Sequence, residues 1–193
     1  MVRDPKIFGL ILAGGKSVRM GHDKGLINYH GKPQREFLFD LLNTVCHQVF
    51  TSCKQGSEIP SHLNPLPDQL EIESPLNGII SAFRVNPDAA WLTAPVDMPN
   101  IDLPTLEYLI RHRDKTKLAT CFYDSDGKDP EPLLTLWEPS AYPLLEMHYQ
   151  KGHKGVKPFL LHHDICLITT PDTRMHQNVN SPEQLDTYQK NKP

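Results

Sequence analysis

The segment that most constrains this chain is Leu12-Ala13-Gly14-Gly15-Lys16-Ser17-Val18-Arg19-Met20-Gly21-His22-Asp23-Lys24-Gly25, which follows directly on the apolar run Ile7 to Leu12. The run reads as a buried strand. Four glycines and three spaced cations at its end describe a loop that closes around phosphates. Without a Cβ, glycine lets backbone N–H groups approach an anion and surround it. Lys16, Arg19 and Lys24 add full positive charge around that nest. The plainer alternative is a Gly-rich surface turn with solvated cations, which the strand and the spacing make the weaker reading.

Two well-known phosphate loops fail the comparison. A Walker A loop needs glycine at the position held by Leu10. A dinucleotide fingerprint needs G-x-G, but Gly14 is followed two residues on by Lys16 and Gly15 by Ser17. What remains is L-A-G-G-x-S-x-R-M-G-x-D-K.

With 193 residues and 38% hydrophobic content, one domain spanning 1–193 with a full core is expected. A formal charge of −3 argues against a nucleic-acid binder held by a general basic field. Cys46, Cys53, Cys121 and Cys166 form no C-x-x-C, so neither a zinc site nor a disulfide framework is expected, and reduced thiols are the simple reading. Ile7 to Ala13 is too short for a secretory signal and lacks an A-x-A-like cleavage site. No apolar stretch has the length to span a bilayer. A soluble cytoplasmic chain without membrane contact is the expectation. The ten histidines are scattered, only His162 and His163 are adjacent, and solvated surface side chains are the reading for them.

Along the chain, Leu38, Leu41, Leu42 and Val45 after Pro33 give one face of a helix. Val49 to Cys53 is a short strand, and residues 56 to 75, with four prolines, read as the longest irregular stretch. A helix from Gly78 to Val85 and a buried strand from Ala89 to Val96 follow, then a helix near Pro104. Strands at Lys117 to Tyr123, Leu133 to Trp137 and Ile165 to Thr169 alternate with helical stretches at 139 to 150 and 154 to 161. Ser181-Pro182-Glu183-Gln184 opens the last helix with a capping pattern. This alternation predicts an α/β fold: a single Rossmann-like three-layer domain with a mostly parallel central sheet. Ligands in such sheets bind beyond the carboxyl ends of the strands, where both the glycine loop and Asp97 fall.

Asp97, in Val96-Asp97-Met98-Pro99, ends a buried strand and is a natural Mg²⁺ ligand, because that ion takes one or two carboxylates and completes its shell with phosphate and water. A helix cap is the alternative, but Asp102 is better placed for it. Asp68, in the Pro-rich stretch, reads equally as a turn residue or a site residue. Ser74-Pro75-Leu76-Asn77-Gly78-Ile79 reads as a loop whose backbone approaches something flat, with Ser74 or Asn77 equally readable as helix caps. Asn178 and Asn180 point to one side of an extended segment, as ligand contacts or as turn chemistry before the last helix.

Together these blocks, with Lys151-Gly152-His153-Lys154-Gly155-Val156 and Asn178-Val179-Asn180-Ser181-Pro182, resemble the molybdenum cofactor guanylyltransferases of the nucleotidyltransferase superfamily, whose fold is of the nucleotide-diphospho-sugar transferase type. The resemblance covers nearly the whole chain. It implies transfer of GMP from GTP to the phosphate of molybdopterin, with release of pyrophosphate. It also implies that Leu12, Ala13, Gly14 and Gly15 hold the nucleotide and that Lys24 meets the GTP phosphates; the need to neutralise the leaving pyrophosphate assigns Lys16 and Arg19 to it. Ser52, Asp68, Gly78, Asn178 and Asn180 fall at further nucleotide-site positions, and Asp97 at that of the Mg²⁺ ligand. The Leu-Ala-Gly-Gly opening is similar to the guanylyl enzymes, whereas cytidylyl relatives tend to carry Thr-Ala-Ala-Gly. Ser52 stands where the family often has Asn, and Ser74-Pro75 where it more often has Gly-Pro. Asp129-Pro130-Glu131-Pro132 falls on the pterin side with no contact assigned. Transient contact with molybdoenzymes or their chaperones is implied too. The alternatives are a relative using CTP or a sugar-phosphate acceptor, and a non-catalytic cofactor carrier.

Overall fold

A computed structural model describes residues 4–13 and 23–190. The first strand, β1 (Ile7–Leu12), is buried without interruption from Phe8 to Leu12. Such continuous burial replaces alternation when helices cover both faces of a sheet. Further elements are α1 (Gln34–Asn43), β2 (Gln48–Cys53), β3 (Pro65–Pro67), α2 (Pro75–Val85), β4 (Ala90–Pro95) and α3 (Leu103–Arg111). The second half contributes β5 (Ala119–Tyr123), β6 (Pro130–Trp137), α4 (Tyr142–Gln150), α5 (Val156–Leu161), β7 (Cys166–Ile168) and α6 (Pro182–Lys190).

One seven-stranded sheet runs in the order β3-β2-β1-β4-β6-β5-β7. Every pairing is parallel except those of β6, which is antiparallel to both β4 and β5. On one face, Leu76, Ile79 and Phe83 of α2, Leu145 of α4 and Phe159 of α5 pack over Leu10, Leu12 and Trp91. On the other, Leu38 and Leu42 of α1 and Leu106 and Leu109 of α3 cover Ile11, Leu92 and Leu136. The three-layer, mostly parallel expectation holds.

Three local readings change. Residues 56 to 75 are less irregular than their prolines suggest: Ser61–Leu63 forms a 3₁₀ turn and Pro65–Pro67 an edge strand on β2. The ladder bonds run from Thr51 N to Asn64 O and from Asp68 N to Cys53 O, so strand alternation turns Pro65 and Pro67 outward, where no N–H is needed. The helix expected from Gly78 begins at Pro75, and Ser74 caps it by accepting from Leu76 N at 3.2 Å. Residues 75 to 79 are therefore helix, not loop, because proline at the first helical turn costs no hydrogen bond. Strand β6 starts at Pro130, ahead of the expected Leu133. Asp102 caps α3 through Thr105 N at 2.9 Å, as expected.

A buried ion pair ties the layers together: Arg113 meets Glu138 through two bonds of 2.6 and 2.8 Å, with both side chains at most 6% exposed. The bidentate fit satisfies both oxygens, which a buried carboxylate requires. Among the described residues, no helix is long and apolar enough to cross a membrane.

Candidate active site

The sheet register sets the site. Leu12 pairs with Ser52 of β2 and with Pro95 of β4, so the carboxyl ends of three neighbouring strands finish in one row. Asp68 follows the end of β3 and Asp97 the end of β4, just beyond that row. This is the crevice that parallel sheets offer to ligands. Gly14, Gly15, Lys16 and Arg19 lie outside the described residues.

On the β2–β3 side, a cavity of about 420 Å³ is lined by Leu12, Ser52, Asp68, Leu70, Ile72 and Ser74, among others. Ser52 Oγ donates to Asp68 Oδ1 at 3.1 Å. Burial pushes the Asp68 carboxyl above its usual range, and the Ser52 bond and Lys54 work against that rise. Asp68 is thus a partly buried carboxylate on a cavity wall.

Gly78 stands behind Ser52. A Cβ there would lie 2.4 Å from Ser52 Oγ, 3.0 Å from Ser52 Cβ and 3.5 Å from Leu12 Cδ2. The missing side chain at 78 is what lets helix α2 seat against β1 and β2. Asn77 is not a cap. It lies inside α2, 2% exposed, and its amide nitrogen donates to Leu70 O at 2.7 Å and Ile72 O at 3.0 Å. Its Oδ1 accepts from Leu70 N at 3.0 Å, so one buried amide pins the backbone of the cavity's far wall. Ser74 Oγ also donates to Lys154 O at 2.5 Å, which draws the turn between α4 and α5 against the same wall.

On the β4 side, Lys24 opens a 3₁₀ turn (Lys24–Leu26) whose N-cap is Asp23. Its Nζ donates to Asn180 Oδ1 at 2.5 Å and lies 3.5 Å from Asp97 Oδ2. Residues 156 positions apart in sequence meet here. Val179, 1% exposed, donates its N–H to Asp97 O at 2.8 Å, which seats the Asn178–Asn180 segment along the end of β4. Asn180 is thereby brought to Lys24, while Asn178 is exposed. Ala13 bonds through its N–H back to Ile11 O at 3.1 Å and ends β1 on the same rim.

Asp97 Oδ1 is buried and has no hydrogen-bond partner among the described residues. An orphaned buried carboxylate oxygen demands a partner, and a hard divalent cation is the partner its chemistry suits. Among the described residues, no three His, Cys, Asp or Glu converge as a metal site. An ion completed mainly by phosphate oxygens and water needs no such cluster.

Two features differ from their sequence reading, which gave Glu131 no contact and the histidines no common place. Glu131 is 9% exposed and accepts from Leu133 N at 3.0 Å. Strand β6, which carries it, lies antiparallel beside β4, near enough to Asp97 for that charge to act on it. Burial first, then the charges of Asp97 and Asp124, raise its carboxyl above the usual range. The histidines are less scattered than their sequence positions: His148, His153, His162 and His163 share one cleft of about 290 Å³. His162 and His163 sit beyond α5, where each ring meets a backbone carbonyl four residues back.

Comparison with known proteins agrees with this architecture. The chain is 36% identical over 188 residues to a molybdenum cofactor biosynthesis bifunctional protein of Synechocystis, covering 94% of this chain but only about half, 53%, of that relative's length. A molybdenum cofactor guanylyltransferase of Pseudomonas fluorescens is 27% identical, with 93% of this chain and 92% of the relative covered. Among solved structures, molybdopterin-guanine dinucleotide biosynthesis protein A from Archaeoglobus fulgidus shares the fold at a TM-score of 0.80 and 22% identity, covering 95% of this chain and 97% of that one. Residues 9–166, most of the sheet and all of the crevice except the Asn178–Asn180 segment, match the MobA-like NTP transferase domain. The chain belongs to the MobA-like NTP transferase domain family.

Proposed function

We propose that this protein transfers GMP from GTP to the terminal phosphate of molybdopterin and releases pyrophosphate. The observation that carries the reading is the pairing of Lys24 with Asp97, whose inner oxygen has no partner among the described residues, on the same strand rim as the Ser52–Asp68 cavity. A cation, a carboxylate free to take a hard ion, and a cavity of nucleobase size are what a triphosphate substrate needs.

The acceptor phosphate is already anionic near neutral pH, so no strong general base is called for. The obstacle is repulsion between an anionic nucleophile and a polyanion, and positioning with charge neutralisation carries most of such catalysis. Asp97 would hold Mg²⁺, which when bound would supply positive charge to offset the negative charge of the phosphates. Lys24 turns from Asn180 and Asp97 to the α-phosphoryl group, and Asn180 limits how far it can stray. Lys16 and Arg19 meet the leaving pyrophosphate, with Gly14 and Gly15 giving backbone N–H groups. Leu12, Ala13, Ser52 and Asp68 take the nucleoside, Gly78 keeps that wall flat, and Asn178 and Asn180 add contacts at the nucleotide site. Delivery of the product calls for transient contact with molybdoenzymes or their chaperones, in the cytoplasm where GTP is at hand.

The test is pyrophosphate release from GTP, CTP and ATP, each with molybdopterin and Mg²⁺. Fastest release with GTP is expected, in line with the Leu12-Ala13-Gly14-Gly15 opening. Faster release with CTP would make this a cytidylyl enzyme, and nucleotide binding without release would make it a carrier.

A further inference from the structure

Arg35 is a charged residue in a costly place. It sits in the first turn of α1 with only 3% of its surface exposed. Its Nη2 donates to Asp23 Oδ2. Asp23 in turn accepts from Gly25 N at 2.8 Å through Oδ1. A Cβ on Gly25 would lie 2.7 Å from both Nε and Nη2 of Arg35, so one edge of the guanidinium rests against the glycine backbone. Asp23, which Arg35 bonds, and Gly25, against which it packs, are the neighbours of Lys24.

We propose that Arg35 is a positioning residue for the transfer reaction. Clasping Asp23 and Gly25, it fixes the backbone from which Lys24 is aimed at the phosphates. This rests on Lys24 being the phosphate lysine, as proposed above. A lysine side chain is a flexible four-carbon stem, so its ammonium is placed only as well as its Cα. The guanidinium is planar and rigid, and it can grip a carboxylate and lie flat on a backbone at once. Taking such a charge out of water is expensive, and nothing about packing α1 on the sheet calls for a cation. Holding Lys24 gives the burial a use. Gly25 is part of the device, since any side chain there would meet the guanidinium.

The experiment makes Arg35→Lys and Asp23→Asn in the full chain, each in the parent and in a Lys24→Ala background. A misplacement of about 1 Å in a positioned group can cost up to about a hundredfold in rate. Each variant is therefore expected to lower kcat by about five- to thirtyfold while leaving the KM for GTP within about threefold. In the Lys24→Ala background neither should lower kcat further, because a residue that acts only through Lys24 has nothing left to position. Effects that multiply with Lys24→Ala would overturn the proposal and make Arg35 a fold residue or a direct contact.

A second readout needs no catalysis. Acetic anhydride labelling, followed peptide by peptide, compares Lys24, 18% exposed and held by Asn180, with Lys115, 51% exposed and remote from the site. The Lys24-to-Lys115 labelling ratio is expected to rise at least about threefold in both variants, with circular dichroism as the folding control. An unchanged ratio in the folded variants overturns the clasp. If Arg35→Lys does not fold, Asp23→Asn carries the test, since the Asp23 side chain is 42% exposed. If the parent releases no pyrophosphate from GTP and molybdopterin, the functional reading falls, and the labelling ratio still decides the clasp.

Discussion

Replacing Gly78 with alanine pits helix propensity against the cavity wall. Alanine is favoured over glycine in a helix interior by about 1 kcal/mol, and position 78 lies inside α2. On an exposed helix face the substitution would stabilise. Here the new methyl would meet Ser52 Oγ at 2.4 Å and Ser52 Cβ at 3.0 Å, so something must move. Rotating the hydroxyl away removes the 3.1 Å bond to Asp68, and a bond to a carboxylate contributes about 1.5–3 kcal/mol. Pushing α2 off the sheet instead carries the usual overpacking cost of about 1–3 kcal/mol. The lost bond outweighs the propensity gain and overpacking at least matches it, so Gly78→Ala should be destabilised by up to about 2 kcal/mol. It should also raise the KM for GTP, because the Ser52–Asp68 pair is disturbed. Urea unfolding gives the first quantity and pyrophosphate release the second. The double variant Gly78→Ala/Ser52→Gly removes both clashing atoms but still lacks the bond to Asp68, so KM should stay high even with the overpacking relieved. A Gly78→Ala protein as stable as the parent with an unchanged KM would refute the argument that glycine is there to make room for Ser52.

Lys24→Ala should stay folded and lose about ten- to a hundredfold in turnover, the worth of one charge-assisted contact; near-normal pyrophosphate release would remove Lys24 from the phosphate site. Asp97→Asn should need far more Mg²⁺ for activity than Asp68→Asn, since an amide keeps the shape of a carboxylate but not the charge that holds a hard cation; activity measured against Mg²⁺ concentration for both variants decides it. Glu131→Gln should gain thermal stability over the parent as pH rises. Burial lifts the Glu131 carboxyl above its ordinary 4.5, so the folded protein holds that proton more tightly than the unfolded chain does. The stability it contributes is full below about pH 4.5 and is lost as pH climbs through the folded value. A constant difference in melting temperature between about pH 4 and pH 7 would contradict this.

Local pattern made much of this fold legible. Buried strands at Ile7–Leu12 and Ala90–Pro95 show as apolar runs because both faces are covered, and Leu38 and Leu42 mark the inward side of α1. Asp102 was readable as a cap because capping depends on the next three residues. Features made by distant residues were not readable. Asn180 meets Lys24 from 156 positions away in the chain, and Glu131 comes beside β4 only because β6 runs antiparallel to it. Asn77 looked like a cap until the loop at 70–72 came within its reach. Arg35 gave no signal, since a cation in the first turn of a helix is ordinarily solvated. Edge strand β3 hid because two of its three residues are proline, and proline argues against strand wherever its N–H would be needed.

Those two prolines bear on how the protein behaves in crowded company. A sheet edge with free N–H groups invites a strand from another chain, and repeated addition of that kind starts aggregation. With Pro65 and Pro67 turned outward, the β3 edge has no donor at those two positions. The opposite edge, β7, is only three residues long. Short or donor-poor margins of this kind limit a seven-stranded sheet to the strands of its own chain, which protects it while newly made copies are still folding side by side.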